Sequence, residues 1–252
     1  MKISRVSTVR DFFALAGLFA EYPMIYRGVP DAAFGLIPKA GRRIAGIRSA
    51  EQEEFVLNQF KAMGARFLQH APTDDWEWLT IMQHHGVPTR LLDWTTSPFV
   101  AAFFAVEDDR RCNAAVYCID TRALASAAEE RQAGFGPFAV SRTLLTHCPR
   151  MTDRMAAQSG LFTIHSKPFV SFRSKALHKV IIPTPLRSTL RKSLHQIGIH
   201  RATLFPGLDG LGAFLMWEYR DNMHTAKQWS PIIKELYARN RSKTSRASTP
   251  TQ

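Results

Sequence analysis

Nine consecutive apolar residues, PFVAAFFAV at positions 98–106, constrain the fold more than any other feature of the sequence. They follow Ser97, and Ser-Pro is a strong helix start, because serine caps free backbone N–H groups and proline is favoured at the first helical position. A helix that is apolar on every side must be buried. The chain has 252 residues, 45% of them hydrophobic, so it can bury such a helix, and its 14 glycines and 14 prolines are too few for a collagen-like chain.

Capping residues and apolar spacing predict the other elements. In the helix that follows Ser49 and Gln52, the expected apolar face is Val56, Phe60, Met63 and Phe67. Helices are predicted at 9–20, after Ser49, from Asp74 toward Gly86, at 98–106, near 185–195 and at 211–224. Strands are predicted at 24–28, 113–120, 161–165 and 178–183. This mixture favours an α+β fold in which short strands form a mixed sheet flanked by helices.

The pattern divides the chain into an amino-terminal helix at 1–23, a single domain at 24–238 and a basic tail at 239–252. The tail, RNRSKTSRASTPTQ, has no acidic residue and almost no apolar one. Burial therefore cannot offset the entropy of ordering it, and we expect it to be disordered.

The positive charge is concentrated in one half of the chain. The whole sequence has a formal net charge of +12, and residues 139–201 alone contribute eleven basic residues against one acid, Asp153. A basic half attracts polyanions, which predicts contact with nucleic acid or a phosphate-rich cofactor. An ordinary solvated surface explains the same charge equally well, so both interpretations stay open.

The sequence gives no sign of a membrane segment, a disulfide framework or a metal site. The apolar run at 12–20 is too short to span a bilayer and is flanked by Asp11 and Glu21, so we expect a cytoplasmic protein with no membrane contact. The three cysteines fit a reducing compartment. His84 and His85 lack further ligands at a diagnostic spacing, and we predict no bound metal. Walker, GxSxG and HExxH motifs do not occur in the sequence.

The segment QHHGVPTRLLDWTTSPFVAAFFA, residues 83–105, crowds polar side chains directly before the apolar helix. Together with YRG at 26–28 and LIPKAGR at 36–42, it resembles the FRG domain family, named for a Phe-Arg-Gly motif in which Tyr26 here replaces the phenylalanine. AQSGLFTIH at 157–165 and LFPGLDGL at 204–211 are also similar to family motifs. The resemblance covers about residues 24–215, and it implies a role in bacterial defence or as a toxin.

A second resemblance, to mono-ADP-ribosyltransferases of the arginine-serine-glutamate class, is carried by YRG and DWTTSPFVAAFFA. It implies an ADP-ribosyltransferase-like fold, NAD as cofactor, a protein or nucleic acid as acceptor, and transferase or NAD glycohydrolase activity. In such a site a guanidinium binds the pyrophosphate, hydroxyls orient the ribose and a carboxylate meets the oxocarbenium-like transition state. The implied catalytic residues are Arg27, Thr95, Ser97, Gln158 and Asp209. The implied cofactor-binding residues are Tyr26, Arg27, Gly28, Arg90, Asp93 and Trp94.

This sequence departs from the transferase pattern because it has no late Glu-x-Glu or Gln-x-Glu, which leaves Gln158 or Asp209 to face the 2'-hydroxyl or the developing cation. Structural interpretations remain open beside the catalytic ones. Arg27 can simply pair with Asp93, Thr95 and Ser97 can form a turn and a helix cap, and Asp209 can bond its own backbone. The competing function is a non-catalytic module that binds nucleic acid or an anionic partner through residues 139–201.

Overall fold

The strands form one mixed sheet in a computed structural model that describes residues 1–19, 21–147 and 152–222. The strands are β1 (Lys2–Arg5), β2 (Met24–Val29), β3 (Leu91–Thr95), β4 (Ala114–Asp120), β5 (Ala125–Ser126), β6 (Leu144–Thr146), β7 (Gly160–Ile164) and β8 (His178–Ile182). Their spatial order is β1-β8-β4-β2-β3-β7-β6-β5. The β1–β8 and β5–β6 ladders are parallel and the others are antiparallel.

Helices flank this sheet, which confirms the predicted α+β fold with a mixed sheet. Those described are α1 (Val9–Phe19), α2 (Ala50–Gly64), α3 (Asp75–His84), α4 (Pro98–Val106), α5 (Ala127–Gln132), α6 (Asp153–Ala157), α7 (Leu186–Gln196), α8 (Arg201–Leu204) and α9 (Leu208–Asn222). Within these described ranges, no helix is both long and apolar enough to cross a bilayer. The predicted tail at 239–252 lies outside the described residues, as do Cys148 and Arg150.

Helix α4 is the buried helix that its sequence predicts. The Ser97 hydroxyl accepts a hydrogen bond from the Val100 N–H and caps it, and Ala101, Ala102 and Ala105 are fully buried. The helix packs so closely on β2 that a Cβ at Gly28 would overlap the main chain of Ala101. The small residues of both elements therefore fix their separation, with α1 and α7 completing this layer of the core.

The opposite face of the sheet is covered mainly by loops. Ile25 and Val29 of β2 lie on this face, in a cluster that includes Leu36 from the loop after β2. Because successive side chains of a strand alternate between faces, Arg27 lies on this loop-covered face, whereas Tyr26 faces α1 and α4.

One predicted helix face is only partly right, because Val56 and Phe60 pack against the buried cluster of Leu57, Trp78 and Met82 but the other two predicted residues are exposed. In α2 the fully buried side chains are Glu53 and Leu57, whereas Met63 is 67% exposed and Phe67 lies beyond the helix and is 74% exposed. The reason is electrostatic, because the buried Glu53 pairs with Arg90 and this pair sets the inward face of the helix. A second correction concerns the GLDG segment, which is the first turn of α9 rather than a loop.

Candidate functional site

Arg27 lies where β2 and β3 separate. The two strands pair at one position, Tyr26 with Thr95, and beyond it the main-chain oxygen of Asp93 accepts a hydrogen bond from Arg27 Nη1 at 2.5 Å. The same nitrogen lies 3.3 Å from Asp93 Oδ2. The Arg27 side chain is 16% exposed and that of Asp93 is 56% exposed. The guanidinium thus bridges the gap in the sheet while its partner carboxylate stays open to solvent.

The polar residues before β3 hold the Asp93 carboxylate in place. Gln83 Nε2 donates to Asp93 Oδ1 at 2.9 Å, and Gln83 Oε1 accepts from the Thr89 hydroxyl at 2.6 Å. Gln83 lies in the last turn of α3, and Gly86, with φ of 79°, lets the chain turn back toward β3. The crowded 83–93 segment therefore positions one carboxylate beside Arg27.

A second guanidinium, that of Arg42, lies near the same carboxylate. Loss of hydration and, next, repulsion by Arg27 lower the pKa of Arg42, while Asp93 opposes this shift. Arg42 Nε donates to the Ile37 carbonyl at 3.1 Å. Within the described residues, the other nitrogens of Arg42, and Nε and Nη2 of Arg27, have no hydrogen-bond partner. Arg27 pairs with Asp93, and Arg42 adds a second guanidinium within electrostatic range of that carboxylate, so the site has an excess of positive charge.

The uncharged imidazole of His165 lies beside Arg27. Burial, reinforced by the charge of Arg27, lowers the pKa of His165 to about 3. Its Nε2 lies 2.8 Å from the Thr163 hydroxyl, which also accepts a hydrogen bond from Trp94 Nε1 at 2.8 Å. His165 Nδ1 lies 3.2 Å from the Thr143 hydroxyl. This network holds the imidazole uncharged next to a permanent cation.

Two basic loops surround the site. Residues 36–48 and 166–175, called here the basic loop pair, contain no acidic residue. The loops are packed together: Phe172 N–H donates to the Leu36 carbonyl at 2.9 Å, and a Cβ at Gly41 would overlap the carbonyl of Pro168. Their exposed cations are Lys39, Arg42, Arg43, Arg48, Lys167, Arg173 and Lys175. The Lys39 ammonium donates to the Gly86 carbonyl and so links this pair to the turn before β3.

Thr95 and Ser97 do not meet Arg27 on one face of the sheet. Thr95 is opposite Tyr26, and paired residues share a face, so both lie on the side away from Arg27. The Thr95 hydroxyl donates to the Gln158 carbonyl at 2.7 Å and accepts from Ser97 N–H at 3.0 Å. The hydroxyls of Thr95 and Ser97 thus anchor the entry to α4, as the structural interpretation of this motif expects.

Gln158 lies beside a small cavity that it shares with Asp93. The two residues line the same cavity of about 70 Å³, together with His84 and Arg154. The volume is far below that of ordinary ligand pockets, which is about 300 to 1,000 Å³. Gln158 Nε2 also donates to the Leu204 carbonyl at 2.9 Å. Asp209 is exposed in the first turn of α9, a favourable position for an acid at a helix N-terminus.

The other residues implied to bind a cofactor are buried. Tyr26 is 3% exposed, and burial raises its pKa to about 12. Trp94 is buried, and Gly28 is closed off by α4. Arg90 is 1% exposed, with Nε and Nη2 donating to Glu53 Oε2 at 3.1 and 2.9 Å. Of the implied set, Arg27 and Asp93 are the pair in direct contact at a surface.

The charge of residues 139–201 is partly neutralised inside the fold. Arg187, Arg191 and Arg201 form ion pairs with Asp108, Asp109 and Glu107, which follow α4. The exposed remainder includes Lys167, Arg173 and Lys175 of the basic loop pair. Among the described residues, no group of three or more His, Cys, Asp or Glu side chains could hold a metal ion.

Sequence reasoning missed the roles of Arg42, Gln83 and His165. All three lie in segments that resemble family motifs, LIPKAGR, QHHGVPTR and AQSGLFTIH, so a signal was present. The interactions of Arg42 with Asp93 and of His165 with Arg27 span more than 40 residues of sequence, so local spacing could not reveal them, whereas the contact of Gln83 with Asp93 lies within one motif.

Comparison with known proteins supports the motifs at 26–28, 36–42 and 83–105, whereas those at 157–165 and 204–211 lie outside the matched range. Searches of curated proteins and of solved structures found no match. A family model described as the FRG domain matches residues 22–114, a segment that includes Arg27, Arg42, Gln83 and Asp93. The chain therefore carries an FRG domain over residues 22–114.

Proposed function

We propose that this FRG-domain protein binds the pyrophosphate of NAD between Arg27 and Arg42 and cleaves the bond between nicotinamide and ribose, as a transferase or glycohydrolase. The observation that carries the proposal is the unequal charge of the site, where Arg27 pairs with Asp93 and Arg42 adds a second guanidinium within electrostatic range of the same carboxylate. An anion bound there in addition to Asp93 would neutralise the excess positive charge. A pyrophosphate supplies two adjacent phosphates, which match two guanidiniums because each can form charge-assisted hydrogen bonds.

The chemistry assigned to the site follows from the position of Asp93. Departure of nicotinamide, which takes the electron pair of the glycosidic bond, leaves positive charge on the ribose carbon and ring oxygen. A fixed carboxylate stabilises this charge, and water or an acceptor nucleophile then forms the new bond and loses its proton. Asp93 is more than half exposed and is held by Gln83 and Arg27, so we assign it this role in place of Gln158 or Asp209.

Thr95 and Ser97 have no part in this proposal, because their hydroxyl groups already bond main-chain groups. His165 contributes by staying neutral, since a charged imidazole would repel Arg27. The basic loop pair attracts the negatively charged pyrophosphate of the ligand and, where the acceptor is a nucleic acid, the acceptor as well.

The test measures nicotinamide released from labelled NAD, with and without added protein and nucleic acid acceptors. The variant is Arg42→Gln, chosen because Arg27 also bridges the sheet, and the matched control is Arg43→Gln, which removes the same charge from the next residue. Loss of charge-assisted hydrogen bonds to phosphate should lower turnover at least about tenfold in Arg42→Gln. The control should retain wild-type turnover. Wild-type protein that releases no nicotinamide with any acceptor would remove the enzymatic proposal.

The basic loop pair favours a second candidate, a module that binds nucleic acid without catalysis. Its exposed cations include Lys167, Arg173 and Lys175, with no acid in either loop. Binding through phosphate contacts releases counterions, so the logarithm of the affinity should fall linearly with the logarithm of the salt concentration. Replacing these three residues with glutamine should reduce that slope by about three. The control is Arg142→Gln, which changes an exposed basic residue outside the loop pair and so tests whether the effect is specific to the loop pair.

A further inference from the structure

A large cavity lies on the other side of the sheet from Arg27. Its volume is about 830 Å³, within the range of small-molecule sites, and it lies between α4, α7 and α9. Helix α4 covers the face of the sheet that carries Tyr26, so this cavity is separate from the Arg27 site. Nothing in the proposed NAD chemistry uses it.

Stacked aromatic rings form one wall of the cavity. The ring of Phe214 stacks on His195, with centroids 5.3 Å apart and an angle of 18°, and on His200, at 4.4 Å and 29°. Trp217 continues the wall, 5.1 Å from His195. Burial lowers the pKa of His200, which favours its neutral form. Flat aromatic faces of this kind bind flat aromatic groups by offset stacking.

Trp217 Nε1 and His195 Nδ1 are buried without a hydrogen-bond partner among the described residues, as is Nδ1 of the neighbouring His200. Buried polar side-chain atoms are rarely left unsatisfied, because desolvation without a hydrogen bond costs about 1 to 3 kcal/mol. Trp217 and His195 both line the cavity. A ligand in the cavity that bonds Trp217 Nε1 and His195 Nδ1 accounts for their burial.

The nitrogens of Trp217 and His195 specify different partners. An indole N–H only donates, so Trp217 requires an acceptor. His195 Nε2 lies 4.0 Å from Glu218 Oε1, which favours the tautomer with its hydrogen on Nε2. In that tautomer Nδ1 accepts, so His195 requires a donor. The ligand must therefore be flat and must present an acceptor and a donor in its plane.

We propose that this cavity binds an adenine base, as the nucleoside or as part of a nucleotide. The ring nitrogens of adenine accept from Trp217, its exocyclic amine donates to His195, and its faces stack on the aromatic wall. Arg191 and Arg201 also line the cavity, where the ribose or a phosphate would lie.

The experiment titrates the full-length chain with adenosine by calorimetry and follows the indole N–H signals by NMR. Adenosine has no phosphate, so binding at the Arg27 site does not contribute. The variants are Trp217→Phe, which removes the donor, and His195→Phe, which keeps a ring but removes the acceptor. Leu215→Ala, an exposed α9 residue that does not line the cavity, is the control.

We expect saturable binding of adenosine with a shift of the Trp217 signal, and a loss of at least about tenfold in affinity in each ring variant, from one lost hydrogen bond. Purine riboside, which lacks the amine, should show a similar loss. Trp217→Phe should not lower the Tm, because it removes an unsatisfied donor. The proposal is overturned if wild-type protein does not bind adenosine, or if Trp217→Phe binds it as tightly as wild type. Neither outcome bears on the NAD proposal, which depends on Arg42.

Discussion

The structure contains two arginine–carboxylate pairs of opposite character, within 70 residues of the chain. Arg90 and Glu53 are almost completely buried, and the carboxylate of Glu53 accepts from two guanidinium nitrogens and from the Arg90 backbone N–H. Arg27 and Asp93 lie at the surface, and Arg42 adds a second cation near the single acid. The first pair is balanced in charge and closed to solvent. The second is unbalanced and open, so it has the capacity to bind an anion.

The difference shows that an arginine in a family-like motif is not by itself a binding residue. Both arginines were implied cofactor ligands, and their burial and charge balance separate them. Burial raises the pKa of Glu53 while Arg90 opposes the shift. The two charged groups therefore lose their hydration and are stabilised by each other. Such a pair specifies the position of α2 on the sheet.

Breaking the buried pair should have the largest effect on stability. Glu53→Gln leaves the charge of Arg90 buried without a counter-ion, and the expected loss is about 3 to 5 kcal/mol in the free energy of unfolding. Urea unfolding measures it. The control is Glu54→Gln, the exposed neighbour, for which we expect a change within about 0.5 kcal/mol. A loss below about 1 kcal/mol in Glu53→Gln would contradict the structural role of the pair.

The buried imidazole of His165, beside Arg27, should make the free energy of unfolding depend on pH. His165 has a pKa of about 3 in the folded protein and about 6.5 when unfolded, so between these values the unfolded state binds one more proton. Stability is therefore lost as the pH falls below 6.5, by about 1.4 kcal/mol per pH unit.

His165→Gln removes this titration. Between pH 7 and pH 5 the free energy of unfolding should fall by about 2 kcal/mol more in wild type than in the variant, as measured by urea unfolding at both pH values. Equal losses in the two proteins would mean that His165 is not held neutral beside Arg27.

Changing the exposed carboxylate of Asp93 should have the smallest effect on the free energy of unfolding and the largest effect on the binding of pyrophosphate. Asp93→Asn loses a partly exposed ion pair, so the free energy of unfolding should change by less than about 1 kcal/mol. Removing the negative charge should tighten the binding of pyrophosphate, by about tenfold, and should abolish the release of nicotinamide from NAD.

The matched control is Asp75→Asn, an acid paired with Lys61 away from the site. Unchanged pyrophosphate affinity in Asp93→Asn would mean that the carboxylate does not compete with the anion, and unchanged nicotinamide release would remove Asp93 from the proposed chemistry.

Local patterns in the sequence predicted much of the fold. The caps at Ser49, Asp74 and Ser97, and the apolar run of α4, depend on residues within one or two turns, and the structure confirms these helices. Strands β1 and β3 and the very short β5 and β6 were not predicted, because their pairing with distant strands, rather than their own sequence, holds them in the sheet.

The site was predicted less well, for the same reason. Arg27 and Asp93 were identified from motifs, and their mutual contact was an open alternative that the structure bears out. Strand register decides which hydroxyl groups are free, and the packing of the loops across the sheet brings Arg42 close to Arg27. A single residue of register decides whether Thr95 faces Arg27 or α4, and no local pattern encodes that choice.

The most direct test of whether the excess positive charge at Arg27 and Arg42 binds an anion is a calorimetric titration of inorganic pyrophosphate into wild type, Arg42→Gln and Arg43→Gln. We predict saturable binding to wild type and to Arg43→Gln, and a loss of at least about tenfold in affinity for Arg42→Gln. Equal affinity in the two variants would contradict the account, because it would make the anion a ligand of the general basic surface rather than of the Arg27–Arg42 site.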